Sequence, residues 1–233
     1  MAEALRPLAG PDLRLIGASR TDAGVHALGQ VASLHAARLI DPRVVRAALN
    51  ATLPAGIRVL AARAVPSGFD ARRAARLKRY AYVLSEAPVA SPFLHRYAWR
   101  VARPLDVDLM RLGARPLRGK RDFSAFQAAA GRDRPPVCTV HSVRIVRRRD
   151  LVAVLVSADA FLHHMVRNIV GTLVEVGHRR RPPGWVAEVL AGRDRRLAGR
   201  TAPPQGLFLV SVRYPEPLFG GSMDQSHPLR LKL

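Results

Sequence analysis

The sequence predicts an α+β protein of two lobes, and three observations carry that prediction. Apolar alternation and helical periodicity succeed each other twice along the chain, once before residue 103 and once after it. The 233 residues are enough for two small domains with cores of their own. No short-period repeat competes with this division. The expected organisation is one lobe over residues 1–103, a second over 104–214, and a tail from 215 to 233 without periodicity.

In the first lobe, residues 13–16 and 25–34 are strand candidates. Asp41 is placed to cap a helix, with Pro42 at its first position and Val44, Val45, Ala48 and Leu49 on its apolar faces. Leu53-Pro54-Ala55-Gly56 is a turn, residues 57–65 read as a strand, and residues 79–84 alternate as another. Residues 88–92 form a proline-bounded loop. In the second lobe, Asp106 is the cap of a helix reaching Leu117. Residues 147–150 are a charged hairpin tip between strands 139–146 and 151–157. Residues 160–176 have the strongest helical pattern in the chain. A helix over 185–190 follows Pro182-Pro183, and 206–214 reads as the last strand.

Composition limits the partners. Lys and Arg number 38 against 17 Asp and Glu, a formal net charge of +21 and a pI near 11.7. Such an excess suits a polyanion, and RNA, DNA and anionic membrane surfaces all qualify. Only Lys78, Lys120 and Lys232 are lysines and alanine is abundant, which is also the mark of a biased genome. Cys138 is the single cysteine, so neither an intramolecular disulfide nor a cysteine zinc site can form, which suits a reducing cytoplasm. No segment approaches the ~20 apolar residues of a membrane span. Glu3 and Arg6 without an apolar run do not read as a secretory signal.

The chemistry-bearing run is Ser19-Arg20-Thr21-Asp22-Ala23-Gly24-Val25-His26-Ala27-Leu28-Gly29-Gln30. A lone Asp between two strands is commonly a turn former. Lys78-Arg79-Tyr80-Ala81-Tyr82-Val83 offers an aromatic that serves equally as strand core or as a platform for an extruded base. Tyr82 shares its facing by period two. In Phe161-Leu162-His163-His164-Met165-Val166-Arg167-Asn168-Ile169-Val170-Gly171, a helix puts Leu162, Met165, Val166, Ile169 and Leu173 on one stripe. Arg167 then falls opposite, with His163, His164 and Gly171. Adjacent helical histidines point about 100° apart, which disfavours a shared metal.

Together these strings resemble the tRNA pseudouridine synthase A family, with Ser19 where that family usually has Gly. The resemblance runs from about Leu5 to the last strand. It implies two α+β lobes, each an antiparallel sheet with helices on one face, meeting at a central basic cleft. It implies isomerisation of uridine to pseudouridine at positions 38, 39 and 40 of the tRNA anticodon arm, with no metal or organic cofactor. Asp22 matches the family's catalytic residue. Tyr80 matches a residue that packs on the target uracil, and Arg167 one that pairs with the catalytic Asp. Arg20 matches one that assists base extrusion, and Leu207 lies in a strand that lines the uracil pocket. Asp122 to Phe126 also resembles the family, with a packing or near-site role. The resemblance further implies a cytoplasmic homodimer.

Two chemical routes are open to Asp22: attack on the sugar as a nucleophile, or removal of a sugar proton as a base. Arg72, Arg73, Arg76, Lys78 and Arg79 form a basic stretch suited to RNA phosphates or to plain solvation. Family members begin with a strand, a Tyr-Asp-Gly-type loop and most of a helix that do not precede Glu3 here. The first lobe is therefore expected to lack one strand and to have a thinner core. The alternative reading is a tRNA-binding protein of the same fold with weak or no turnover. A hydrolytic enzyme using Asp22 ranks lower, because no second carboxylate sits in these motifs.

Overall fold

A computed structural model describes residues 1–37, 39–101, 103–129 and 135–215. In chain order its elements are α1 (Ala2–Ala9), β1 (Arg14–Gly17), β2 (His26–Ala27), β3 (Ala32–His35), α2 (Pro42–Thr52), β4 (Leu77–Ser85), β5 (Trp99–Arg100), α3 (Val107–Ala114), β6 (Gly119–Asp122), β7 (Val137–Arg148), β8 (Leu151–Ala158), α4 (Met165–Gly177), α5 (Trp185–Gly192) and β9 (Leu207–Arg213). The α+β class is the one expected. Apart from Pro215, the tail expected at 215–233 lies outside the described residues.

The chain forms two compact units. The smaller takes Met1–Arg20, Gln30–Arg76 and the described residues from Arg213 on; the larger takes Thr21–Gly29 and Leu77–Val212. Residues 21–29 and 77–103, read from sequence with the first lobe, thus belong by their contacts to the larger unit. The reason is strand pairing: β4 runs against β8 from Lys78 to Ser85, and β2 pairs with β9.

In the smaller unit, β1 and β3 pair antiparallel, Arg14 opposite His35 and Gly17 opposite Ala32. The Asp41 carboxylate accepts from the Arg43 amide at 2.7 Å, and Pro42 opens α2, as its sequence predicts. Leu49 and Leu53 meet Leu5 of α1 in a small core. The strand expected over 57–65 does not form. Both backbone groups of Val59 are taken by the Asn50 side chain, its amide at 2.8 Å and its carbonyl at 2.9 Å, so no ladder can use them. Ile57 and Leu60 are exposed.

The larger unit is a seven-stranded sheet in the order β2-β9-β4-β8-β7-β6, with β5 also beside β4. The pairs β4–β8, β7–β8 and β6–β7 are antiparallel, whereas β2–β9 and β4–β5 are parallel. The sheet is therefore mixed where an antiparallel one was expected. Strand β8 is buried on both faces (Val152, Ala153, Val154, Val156 and Ala158), which explains its unbroken apolar run. Arg149 turns the β7–β8 hairpin at φ 53°. Asp106 accepts from the Leu109 amide at 3.0 Å, capping α3. That helix stops at Ala114 and continues as the 3-10 turn Arg115–Leu117: the Arg115 amide bonds the Leu112 carbonyl, and Pro116 has no amide hydrogen with which to continue the α-helical ladder. Helix α3 packs on α4 and α5 over a core that includes Met110, Leu117, Phe123, Phe126, Ile169 and Leu173. Among the described residues no helix is long and apolar enough to cross a membrane.

Candidate active site

Asp22 enters from the loop ahead of β2. The expected strand 25–34 is broken: β2 joins the larger unit's sheet, β3 the smaller unit's. The Asp22 carbonyl accepts from the Val25 amide at 3.0 Å, closing a turn. Gly24 occupies φ 81°, and a Cβ there would meet Pro204 Cγ at 3.2 Å, so both conformation and space call for glycine. Ser19 is not among the left-handed residues of the described chain, so serine costs no backbone strain there. Its carbonyl accepts from Gln30 Nε2 at 2.8 Å.

Three cationic or imidazole side chains of the same unit converge on the Asp22 carboxylate. Arg167 Nη1 lies 2.7 Å from Oδ2. His164 Nε2 lies 3.1 Å from Oδ2, and His163 Nε2 3.5 Å from Oδ1. The pairing of Asp22 with Arg167 was expected; the histidines were not. The helix expected from residue 160 begins at Met165, and His163 and His164 lie in the turn before it. His164 sits at φ 60°, the left-handed region, which is uncommon for a residue with a side chain and accumulates at functional sites. The helical angle of about 100° between neighbours therefore does not apply. The two rings lie one over the other, centroids 3.9 Å apart and planes at 33°, and present their Nε2 atoms to one carboxylate.

The second turn of contacts holds Arg167. Its side chain is 12 % exposed, and Nε donates to the Ala202 carbonyl at 2.7 Å. The Ala202 amide donates in return to the Arg167 carbonyl at 3.1 Å. Asn168, fully buried, donates to the Phe126 carbonyl at 2.8 Å and accepts from Thr201 Oγ1 at 2.7 Å and Arg195 Nη2 at 3.1 Å. Residues 195–202 are thereby strapped along α4. The Ala128 amide, two residues beyond Phe126, donates to the His163 carbonyl at 3.0 Å. Burial pushes His164 below the ordinary histidine value of 6.5; the Asp22 carboxylate opposes that shift, and Arg167, His163 and Arg195 add to it. His164 is thus held neutral at physiological pH.

Tyr80 is buried on β4, its ring edge-on to Phe161 at 4.9 Å, three residues before His164. Tyr82 is more deeply buried, and its hydroxyl donates to the Pro203 carbonyl at 2.7 Å; burial raises its ionisation well above the ordinary range. Leu207 is buried at the start of β9, whose next residues Phe208 and Leu209 pair with His26 and Ala27. Arg20 is exposed and belongs to the smaller unit.

Asp22, His163 and His164 offer one ligand atom each within 4.8 Å of one another. Arg167 already neutralises that carboxylate at 2.7 Å, so the cluster reads as a charge-compensated anion rather than as a set of metal ligands. A partly exposed carboxylate held by one fixed guanidinium and two imidazoles can serve as a nucleophile or as a base.

A family profile described as tRNA pseudouridine synthase matches residues 3–72 and 114–215, which include Asp22, His163, His164, Arg167 and Leu207. Tyr80 falls between the matched segments. The chain is 45 % identical over 225 residues to a tRNA pseudouridine synthase A of Myxococcus xanthus, covering 94 % of this chain and 85 % of the relative. It is 45 % identical to that of Cupriavidus taiwanensis, over 93 % of this chain and 81 % of the relative. It is 42 % identical to that of Pseudoalteromonas atlantica, over 93 % and 82 %.

Proposed function

This chain belongs to the tRNA pseudouridine synthase family, and from that premise we propose that it isomerises uridine to pseudouridine at positions 38, 39 and 40 of the tRNA anticodon arm, with Asp22 as the catalytic carboxylate. The observation that carries the reading is the 2.7 Å pair between Asp22 and Arg167 inside the matched segments. The reaction breaks the bond from uracil N1 to the sugar C1′, turns the base, and forms a bond from C5 to the same carbon. The C5 proton leaves and N1 ends protonated, so atoms and electrons balance without a metal or organic cofactor. Asp22 acts either by attack on C1′ or by taking a sugar proton. Arg167 holds the carboxylate in place.

Tyr80 is assigned to packing on the turning uracil, Leu207 to the wall of its pocket, and Arg20 to the extruded strand. The net charge of +21 suits a partner whose phosphates dominate affinity. The single cysteine and action on tRNA favour a cytoplasmic protein, and the family resemblance favours a homodimer.

The test incubates the purified chain with unmodified tRNA carrying uridine at position 39. Pseudouridine is mapped by carbodiimide labelling and primer extension, with Asp22→Asn alongside. A stop at that position, lost in the variant, supports the reading. A tRNA that is bound but never modified would replace it with that of an inactive tRNA-binding protein.

A further inference from the structure

His163 and His164 have no role in the reading above, yet both point their Nε2 atoms at its carboxylate. His164 is the more committed of the two. It holds a left-handed backbone at φ 60°, it caps α4 without any side-chain hydrogen bond to that helix, and its Nε2 shares Oδ2 with Arg167. Helix capping therefore does not explain the conformation; the direction of the ring does. His163 Nδ1 is buried without a hydrogen-bond partner among the described residues, which leaves its Nε2 as the nitrogen offered to Asp22.

We propose that His164 is a positioning residue for Asp22, and that its charge state sets the acid limb of pseudouridine formation. The proposal rests on Asp22 being the catalytic carboxylate. A neutral His164 donates one N–H to Oδ2, fixing the carboxylate while Arg167 remains its only full positive charge. An imidazolium at the same place puts a second full charge on the same oxygen, and the carboxylate becomes less available to the sugar by either route. The charged and titratable groups facing His164 are Asp22 from the loop before β2, His163 beside it, Arg167 from α4 and Arg195 from the 3-10 turn after α5. Three of these four disfavour the imidazolium, in step with its burial. The enzyme thus works over neutral pH with His164 uncharged, and loses rate only below its lowered value.

The experiment is the single-turnover rate on a uridine-39 tRNA transcript, from pH 5 to pH 8, for the parent, His164→Asn, His163→Gln and Asp22→Asn. Asparagine tolerates the left-handed conformation and keeps an amide donor, but it does not titrate. The parent rate should fall about tenfold per pH unit on its acid side, with a midpoint below 6.5. His164→Asn should be slower at pH 7.5 yet flat to within about twofold across that limb. His163→Gln should keep the limb. In parallel, NMR titration of the His164 ring in the folded parent should give the kinetic midpoint, and Asp22→Asn should move it lower by removing the carboxylate that favours the imidazolium. A His164→Asn profile parallel to the parent's would overturn the inference, because a merely structural residue lowers the rate by one factor at every pH. So would a ring midpoint that departs from the kinetic one. An active Asp22→Asn enzyme would instead overturn the reading of Asp22 itself, and the two failures are told apart.

Discussion

Gly171→Ala tests whether the backbone of residues 200–202 holds the Asp22–Arg167 pair. Gly171 lies on α4 one turn beyond Arg167. A Cβ there would come to 1.7 Å from the Arg200 carbonyl oxygen, 2.9 Å from its carbonyl carbon and 3.4 Å from the Ala202 nitrogen. All three are backbone atoms, so no side-chain rotation relieves the overlap, and ordinary contact requires the segment to retreat by about 1.7 Å. Overpacking typically costs about 1–3 kcal/mol, and backbone on both sides places this change at the top of that range, about 3 kcal/mol. For a chain of this length the melting temperature should fall by roughly 6–12 °C. The retreat also draws the Ala202 carbonyl away from Arg167 Nε, now 2.7 Å distant, so the rate at 25 °C should fall with stability. Thermal unfolding by circular dichroism and single-turnover pseudouridine formation read the two effects. Gly184→Ala is the control: it sits at φ −62° with nothing within 4 Å of its Cβ, and should stay within about 0.5 kcal/mol of the parent. A Gly171→Ala protein as stable as that control would refute the packing argument. A destabilised protein with an unchanged rate would show that residues 200–202 do not hold Arg167.

Two further outcomes follow from the same contacts. Arg167→Lys keeps the charge but offers one nitrogen where the guanidinium uses two, on Ala202 and Asp22, so the single-turnover rate should drop about 10- to 100-fold while the fold survives; an unchanged rate would show that charge alone suffices. Burial also holds His164 below 6.5, so between 6.5 and that lowered value the unfolded chain binds a proton that the folded chain does not. Stability contributed by neutral His164 is therefore full above 6.5, falls as pH drops through that window, and levels off below it. Urea midpoints measured across the window should decline in the parent and less steeply in His164→Asn; equal slopes would count against the assignment.

Much of the fold could be read from the sequence because local chemistry and tertiary packing agreed. Asp41, Pro42 and Asp106 act at the helix starts where their types place them. Strands β4, β7, β8 and β9 follow their apolar patterns, since each lies between two neighbours in the sheet. The failures share a physical origin. Residues 57–65 have a strand's composition, but strandhood depends on a ladder partner, and Asn50 claims Val59 first. The mixed sheet could not be foreseen, because its parallel pairs involve two-residue strands too short for a pattern. The unit boundary follows β4 and the Asp22 loop into the larger sheet, a choice made by long-range pairing alone.

The site shows the same division more sharply. Arg167 was placed on a polar helix face, yet α4 is buried on nearly every side, including at Gly171 and Thr172. The signal was present: from Met165 to Gly177 only Arg167, Asn168, Thr172 and Glu175 are polar, and a helix apolar all round is buried all round. Polar groups on such a helix must be satisfied within the protein. Arg167 is met by Asp22 and Ala202, Asn168 by Phe126, Thr201 and Arg195, and Thr172 by the Asn168 carbonyl and the Gly199 amide. That rule would have identified Arg167 as partnered without any family resemblance. No such rule reaches His164. Its place beside Asp22 depends on one left-handed residue between a loop and a helix, and neither histidine nor its neighbours carry the glycine or proline that announces such a turn. A backbone conformation unfavourable for a side chain persists only where surrounding contacts hold it, and here the atom it delivers is a nitrogen 3.1 Å from Asp22.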